Sequence, residues 1–301
     1  MDAKDFRLLV ALDEDARQSF HALGRKVSLS APAVRDRIRR LEERGIVQGY
    51  WVSIVPAIFE RQDLLVSFDG DWSRDEAMKA LGAPDVAWVA WKVDGGVTLE
   101  IWPQDVKKAV AALRRFLDRD PSWQGVASPE WSGELSSLDW RVLDVLIDDP
   151  RASIDQLSSS TGLSPKTVRK HLNGLIRGKA IYVVPRLGFL KDSGEVVYHL
   201  VVAGNASFAD VKRVLGDAEL IHETQDTPKK YLFCRADSLG EMTSRNRALE
   251  RLPGVTSVQV SLNREMMFGT EFVHRLVREK MKEWRRASRS YTLIARVARN
   301  P

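Results

Sequence analysis

The sequence predicts an α+β protein made of two tandem units, each a three-helix domain followed by a βαββαβ domain. Two observations support this prediction. Residues 5–48 and 139–182 align without a gap, 134 positions apart, and thirteen of the 44 aligned residues are identical. Both stretches are followed by short alternating runs that two helical segments interrupt. A repeat of this length indicates a duplicated structural unit, so both copies provide evidence for each predicted helix and strand.

Each copy of the repeat carries the spacing of three short helices. Apolar residues recur at helical intervals over residues 5–14 and again over 139–148. Serine, a good helix cap, stands where the second and third helices would begin, at Ser19, Ser30, Ser153 and Ser164. The third helices carry the apolar stripes Val34, Ile38, Leu41 and Val168, Leu172, Leu175. This arrangement predicts two helix-turn-helix domains, each followed by a wing or a linking strand.

Residues 63–131 and 195–267 each read as four strands and two helices in the order βαββαβ. This order is that of the ferredoxin-like unit, whose sheet buries one face under its two helices. The other face needs a second layer, so we expect the two sheets to pack together, within the chain or across a homodimer. Trp88 and Trp91 lie three apart on one predicted strand and should therefore face opposite sides of the sheet.

These elements divide the chain into five parts. The predicted parts are helix-turn-helix domains over 1–60 and 135–190, ferredoxin-like domains over 61–132 and 194–268, and a basic amphipathic helix and tail over 269–301. The tail helix has an apolar stripe that we expect to dock on the body of the protein. Its members are Val273, Leu276, Val277, Met281 and Trp284.

The two third helices differ in the charge of the face that they expose. A projection at about 100° per residue turns Asp36 and Glu43 outward in the first copy, whereas the second copy exposes no acid. Basic and amide side chains hold phosphates and read base edges in the major groove. We therefore expect both helices to contact double-stranded DNA, the second more firmly. The predicted contacts are Arg35, Arg39 and Arg40 in the first copy and Ser164, Lys166, Thr167, Arg169, Lys170, Asn173 and Arg177 in the second.

Composition argues against several other classes of protein. The net charge is +5, but residues 271–301 hold nine Lys/Arg against three Asp/Glu, so the rest of the chain is nearly neutral. With one cysteine and five scattered histidines, we expect no disulfide framework, no metal and no cofactor. No catalytic motif, membrane-length apolar run or signal peptide is recognisable. The expectation is a cytoplasmic protein that is not an enzyme.

The repeat resembles the Lrp/AsnC family of prokaryotic transcription regulators. The shared patterns are D-x-x-x-L-x-x-L-x-x-D-x-R-x-S over residues 5–19 and 139–153, and L-S-x-x-x-V over residues 29–34 and 163–168. The resemblance implies a helix-turn-helix joined by a strand to a βαββαβ effector domain that dimerises through its sheet. The fused pair then resembles a dimer made covalent. The resemblance adds Arg37 to the expected DNA contacts, because an arginine usually stands there; the second copy has His171 instead.

The resemblance also implies a small-molecule effector near the loop between the second and third strands of the effector domain. The family carries G-x-x-D in this loop. The first unit has Asp94-Gly95-Gly96 without the following acid, and the second unit has no glycine at residues 226–228. The expected effector contacts are Asp94, Gly95, Gly96 and His222.

Two other functions are compatible with the same plan. Sirohaem decarboxylases resemble it, occur as fused pairs and usually carry a histidine-tyrosine pair in the region of His222. Glu223 stands where that tyrosine would be, and Lys229, Lys230 and Arg235 are the basic groups that could meet tetrapyrrole carboxylates. The other alternative is a ligand sensor that does not bind DNA, which is favoured if acids neutralise the first recognition helix.

Overall fold

The computed structural model describes residues 1–127, 131–188, 196–216, 218–224 and 228–297, and only the backbone of 221, 222 and 285–297. The first unit contains α1 (Ala3–Glu14), α2 (Phe20–Val27), α3 (Ala31–Glu43), β1 (Val47–Ile54), a 3-10 turn (Pro56–Phe59), β2 (Asp63–Phe68), α4 (Arg74–Leu81), β3 (Val86–Lys92), β4 (Val97–Ile101), α5 (Val106–Leu117) and β5 (Trp123–Ala127). The second contains α6 (Ser137–Asp148), α7 (Ile154–Thr161), α8 (Pro165–Arg177), β6 (Ile181–Leu187), β7 (Val196–Gly204), α9 (Phe208–Leu215), β8 (Ala218–Glu223), β9 (Lys229–Ala236), α10 (Leu239–Glu250), β10 (Val255–Ser261), β11 (Asn263–Phe268) and α11 (Thr270–Val297).

The two helix-turn-helix domains, called head 1 (α1–α3) and head 2 (α6–α8), begin their helices at the predicted caps. Each of the four predicted serines accepts a hydrogen bond from the backbone N–H three residues later. Each cap contributes about 1 kcal/mol to the stability of its helix. The predicted stripes of α3 and α8 are buried, with no member more than 5% exposed. The two heads therefore fold as the repeat predicts.

Both βαββαβ segments form ferredoxin-like sheets, which confirms the predicted fold class. The strand order is β3-β4-β2-β5 in the first unit and β10-β7-β9-β8 in the second. Helices α4 and α5 cover one face of the first sheet over a core that includes Leu64 and Leu99. Trp91 packs in that core, whereas Trp88 lies on the opposite face and packs with residues of the heads and the linker. The two tryptophans face opposite sides, as predicted.

The sequence predicts a single strand over residues 256–267, but the structure divides this segment at Leu262. β10 stays in the second sheet, and β11 crosses to pair with β3, placing Phe268 opposite Trp88. The first sheet therefore has five strands, in the order β11-β3-β4-β2-β5, and the second has four among the described residues. This crossing strand attaches the end of the second unit to the first.

The linker strands β1 and β6 pair with each other in an antiparallel two-stranded ribbon. Tyr50 lies opposite Pro185, and Trp51 lies opposite Val184. Residues 134 positions apart are counterparts, so exchanging the two units turns the first of these pairs into the second. Self-complementary pairing of this kind is the property of a twofold interface. The ribbon therefore makes the two units a pseudo-dimer within one chain.

Each head also packs against the other unit. The Phe6 ring of α1 stacks on Phe233 of β9, with centroids 5.1 Å apart. Its counterpart in α6, Trp140, packs against Phe59 of the 3-10 turn at 5.4 Å. The heads touch each other as well, because Arg17 donates hydrogen bonds of 2.8 and 2.7 Å to backbone carbonyls of head 2. This crossed packing holds both heads in place relative to the sheets.

The C-terminal helix α11 docks on head 2 through the stripe that the sequence predicts. Val273, Leu276 and Val277 are buried in the same core as Trp140. The stripe emerges from this core towards its end, where Trp284 is 45% exposed. The first half of α11 is therefore part of the body.

His274 clamps α11 to α6. Its Nδ1 lies 2.8 Å from an Asp144 carboxylate oxygen, and its Nε2 lies 3.0 Å from an Asp148 carboxylate oxygen. Only the doubly protonated ring can donate to both. Partial burial lowers the pKa of His274, but the hydrogen bonds and charges of the two aspartates outweigh burial and raise it above the ordinary 6.5. The clamp is therefore strongest when the ring is charged.

We expect the clamp to be fully stabilising below pH about 6.5 and to weaken as the pH rises through the raised pKa of the folded protein. The measurement is the difference in unfolding free energy between the wild type and His274→Gln, from urea denaturation at several pH values. Taking the difference removes the contribution of the titrating groups that do not interact with His274, and pH values at which Asp144 and Asp148 stay ionised isolate the ring. The difference should shrink from acidic to alkaline pH; a constant or growing difference would contradict the clamp.

Candidate nucleic-acid interface

Helix α8 presents the basic face predicted for head 2. The Ser164 hydroxyl accepts a hydrogen bond of 3.2 Å from the Thr167 N–H and lies 2.8 Å from the Thr167 hydroxyl. These two predicted contacts therefore also form the helix cap. The exposed polar side chains of the helix are Lys166, Arg169, Lys170, Asn173 and Arg177. Because the helix is capped at its start and held by a buried stripe, it displays them on a rigid support.

The exposed arginines of α3 are partly neutralised within their own helix. Asp36 lies 3.8 Å from Arg35 and 3.6 Å from Arg39, and Glu43 lies 3.7 Å from Arg39. Arg40 donates to the Asp36 backbone carbonyl. Exposed pairs of this kind contribute less than about 1 kcal/mol, but they place carboxylates where phosphates would come. Among the described residues no carboxylate pairs with the exposed cations of α8.

Arg37 does not lie on the exposed face, which argues against its predicted role as a DNA contact. Its side chain is 19% exposed, and it donates to the Asp5 carboxylate at 2.6 Å and to the Asp2 carboxylate at 2.9 Å. The hydrogen bond to Asp5, followed by the one to Asp2, raises the pKa of Arg37 although burial lowers it. Arg37 is therefore an anchor between α3 and the start of α1.

His171 makes the same connection in head 2. It is the counterpart of Arg37, and its Nδ1 lies 2.7 Å from the carboxylate of Asp139, the counterpart of Asp5. Both side chains are largely buried. The departure from the family pattern at His171 replaces one anchor by another and keeps α8 attached to α6.

Replacing Arg37 with glutamine should lower the free energy of unfolding by about 1–3 kcal/mol, because two aspartates lose their cationic donor. Urea denaturation measures this change. The salt dependence of DNA binding should stay the same, since Arg37 makes no phosphate contact. Arg35→Gln on the exposed face is the matched control and should leave stability nearly unchanged. A reduced salt dependence for Arg37→Gln would restore Arg37 to the DNA face.

The turn between β3 and β4 brings three of the predicted effector contacts together, with Asp94 exposed and Gly96 buried. The Asp94 carboxylate accepts a hydrogen bond of 3.1 Å from the Gly96 N–H, and the Gly95 carbonyl accepts one of 3.0 Å from Trp72. Gly95 has a φ of +93°, and a Cβ there would stand 2.8 Å from an Asp71 carboxylate oxygen. These contacts require the Asp-Gly-Gly sequence even without a ligand.

The uncovered faces of the two sheets meet within the chain. The Trp123 ring of β5 lies 5.9 Å from the Tyr231 ring of β9, and the Lys229 ammonium lies 4.1 Å from the centre of the Trp123 ring. His222 lies opposite Tyr231 in β8, and its side chain is outside the described residues. The predicted effector contacts therefore belong to two different sheets: residues 94–96 to the first and His222 to the second.

Sequence reasoning missed two partly buried acids, Asp63 and Glu100, on the uncovered face of the first sheet. Burial raises the pKa of Glu100 to about 7, although hydrogen bonds from the Trp102 and Trp88 indoles lower it. Burial, and then the neighbouring Glu100, hold the pKa of Asp63 well above its usual range. The alternation of the strand could have revealed Glu100. Because Leu99 faces the core under the helices, the next residue, Glu100, must face the opposite side of the sheet. These acids hold a proton near neutral pH more readily than exposed carboxylates do.

Three further observations bear on other kinds of site. Burial raises the pKa of the Cys234 thiol to about 12, so it is a poor nucleophile. Within the described ranges, no group of three or more His, Cys, Asp or Glu side chains could hold a metal ion. None of the described helices is long and apolar enough to cross a membrane.

Family models match both heads. A model described as AsnC-type helix-turn-helix domain matches residues 1–42, and one described as winged helix-turn-helix DNA-binding matches residues 135–178. The chain is 41% identical over 56 residues to the HTH-type transcriptional regulator Ptr1 of Methanocaldococcus jannaschii, and 48% identical over 50 residues to the HTH-type transcriptional regulator Rv2324 of Mycobacterium tuberculosis. These stretches are 19% and 17% of this chain, and they cover 38% and 34% of the two regulators.

A longer alignment, at lower sequence identity, extends beyond one head. The leucine-responsive regulatory protein of Rhizobium meliloti is 30% identical over 100 residues, which are 32% of this chain and 64% of that protein. Among solved structures, the siroheme decarboxylase NirDL superposes with a TM-score of 0.50 at 11% identity, over 93% of this chain and 99% of its own. At that identity the likeness concerns the tandem fold alone.

Proposed function

We propose that this chain, a tandem protein of the Lrp/AsnC type, binds double-stranded DNA in a sequence-specific manner and so regulates transcription. The observation that carries the proposal is the acid-free exposed face of α8. Its lysines and arginines suit phosphate oxygens. Arg169 and Asn173 supply the groups that read guanine and adenine edges in the major groove. Head 2 is therefore the principal DNA contact of the proposal.

The ribbon and the crossed packing support a two-headed mode of binding. Because β1 pairs with β6 inside the chain, one chain presents two heads as a dimer of single units would. Heads that meet successive major grooves reach half-sites about 34–36 Å apart. Asp36 and Glu43 weaken the face of head 1, so the two half-sites should differ in strength.

Selection of bound sequences from a random DNA pool, followed by a gel-shift assay at low salt, tests the proposal. We expect an enriched motif with two unequal halves and a Kd that rises steeply with salt concentration. Absence of any shift at low salt would overturn DNA binding. A shift without an enriched motif would overturn sequence specificity, because a merely basic surface binds all DNA alike.

The proposal includes a cytoplasmic location and a homodimer of chains. The homodimer follows from the resemblance to regulators that pair through their effector sheets. Here the two sheets already meet through Trp123 and Tyr231 within one chain, so a second chain would use another surface. Light scattering in solution measures the number of chains; the mass of a single chain would remove the homodimer and leave the two-headed chain intact.

A second candidate function is a tetrapyrrole decarboxylase, because the tandem fold is shared with one. The structure gives carboxylate partners to two of the three basic groups that this function would need, whereas Lys229 lies over the Trp123 ring. Lys230 lies 2.8 Å from a Glu223 carboxylate oxygen, and Arg235 pairs with Asp237. These ion pairs favour the regulator over the enzyme. Spectral titration with an iron tetrapyrrole distinguishes the two: an absorbance shift would support the enzyme, and an unchanged spectrum would remove it.

A further inference from the structure

We infer that the chain has one small-molecule site between the linker ribbon, the first sheet and head 2, and that this site takes a planar aromatic ligand with a negatively charged group. A cavity of about 350 Å³ opens at this junction. That volume is near the lower end for small-molecule sites, about 300–1,000 Å³. The inference does not depend on DNA binding.

Aromatic residues line the cavity from several elements, with the rings of the adjacent Tyr50 and Trp51 on opposite sides of the ribbon. Tyr50 and Trp51 come from β1, Trp88 from β3, Phe268 from β11, and Trp102 from the residue after β4. The rings of Trp51 and Phe268 lie 4.7 Å apart at an angle of 42°. Trp88 and Trp102 donate their indole N–H groups to Glu100, so the sheet satisfies their polar edges. Trp102 is 2% exposed and forms the back of the wall, so it is Trp88 that offers a ligand aromatic surface, which favours a planar ring.

Arg186 supplies the positive charge at the rim, while Asp148, the acid in the lining, has its carboxylate 3.0 Å from the His274 Nε2. Its guanidinium carbon lies 5.9 Å from the centre of the Phe268 ring, and its Nη2 donates a long hydrogen bond, 3.3 Å, to the Gln48 carbonyl. The bulge of β1 at Gly49, with a φ of +139°, makes room for the guanidinium, since a Cβ there would stand 3.4 Å from Nη2. Among the described carboxylates none pairs with Arg186. A guanidinium has five N–H donors, and those that are not used within the protein bind best to an anionic group such as a carboxylate.

The duplication shows that the fold does not require these rings. The counterparts of Tyr50 and Trp51 in the ribbon are Val184 and Pro185, and the sheet register makes Arg235 the counterpart of Trp102. Leu99 pairs with Val66 and Leu232 pairs with Leu200, so the counterpart of Glu100 is Phe233; Trp88 lies opposite Glu100, whereas Glu219 lies opposite Phe233. The second unit therefore folds without aromatic residues at the points that correspond to Tyr50, Trp51, Trp88 and Trp102. The aromatic cluster points to a ligand, and it predicts one site in each chain.

The geometry assigns a role to each wall. The aromatic surfaces would receive the ring of the ligand, and Arg186 would bind its acidic group at the rim. The volume suits a compound of one or two rings. Because the walls belong to the ribbon, the first sheet and head 2, a bound ligand would brace these parts and raise the melting temperature by mass action.

Isothermal titration of the full chain with naphthoate, an aromatic carboxylate, tests the site. We expect one site in each chain and quenching of tryptophan fluorescence. Arg186→Met and Trp51→Leu should each weaken binding about tenfold or more, through loss of the charged hydrogen bond and of the stacking surface. Lys212→Met removes a cation from the corresponding groove between α1 and α9, and this control should bind as the wild type does.

A second pair of measurements separates charge from shape. Uncharged naphthalenemethanol should bind the wild type more weakly than naphthoate does, and it should bind Arg186→Met as it binds the wild type. Arg186 is exposed, so Arg186→Met should fold normally, which a thermal melt checks. The inference is overturned if naphthoate, indoleacetate and phenylacetate all fail to bind at millimolar concentration. Equal naphthoate binding by the wild type and Arg186→Met, or two equal sites per chain, would also overturn it.

Discussion

Alanine at Lys166, Arg169 and Lys170 together should lower the affinity for selected DNA about a hundredfold at moderate salt. The three side chains lie on the exposed face of α8 without carboxylate partners among the described residues, so their charge is available to phosphates and base edges. The slope of log Kd against log salt should fall by about two to three, since each lost phosphate contact removes nearly one released counterion. Fluorescence anisotropy with labelled DNA at several salt concentrations measures both quantities.

The matched control is Arg35, Arg39 and Arg40 replaced together in α3. This variant removes the same number of cations, but Asp36 and Glu43 already neutralise part of their charge. We expect a clearly smaller loss of affinity and a smaller change in slope. Equal losses in both variants would show that the two heads bind alike. An unchanged affinity in the α8 variant would remove head 2 from the interface.

Replacing Trp140 with alanine should lower the free energy of unfolding by about 3–5 kcal/mol, among the largest effects of a single core truncation. Trp140 is 5% exposed, packs against Phe59 of the first unit, and shares its core with Val273 of α11. The truncation leaves a cavity where head 2, the first unit and the C-terminal helix meet. Chemical denaturation followed by circular dichroism measures the loss.

Trp284→Ala is the matched control for this prediction. It makes the same substitution on a side chain that is 45% exposed, so stability should change by no more than about 0.5 kcal/mol. If Trp140→Ala were as mild as Trp284→Ala, head 2 would not be held by the crossed packing. A change in the denaturant m-value would indicate that head 2 unfolds separately from the rest.

The internal structure of the heads could be predicted from the sequence because its causes are local. Ser19 and Ser164 cap the helices that follow them, and the apolar stripe of α8 is buried as its spacing predicts. The exposed face of α8 follows from the same spacing, since burying one side of a helix leaves the other outward. This is why the basic face of head 2 could be predicted residue by residue.

The partners of a buried face could not be predicted in this way. Periodicity shows that Phe6 and Trp140 point inward, but not that each packs against the other unit. Arg37 has the spacing of a recognition-helix residue, and only the fold brings it to Asp5. β11 has the alternation of a continuing strand, and its crossing to β3 depends on where the first sheet lies. The aromatic cavity likewise exists only where separate elements meet.

The self-complementary ribbon has a consequence for how this protein can evolve. In a symmetric dimer of identical chains, every mutation near the twofold axis appears twice and must suit both partners. Here the equivalent positions are encoded separately, so Trp51 changes independently of its counterpart Pro185, and Arg37 independently of His171. Fusion therefore frees one half to specialise while the other maintains the scaffold. Differences between the halves are best sought where counterparts diverge most, along the ribbon and on the recognition helices.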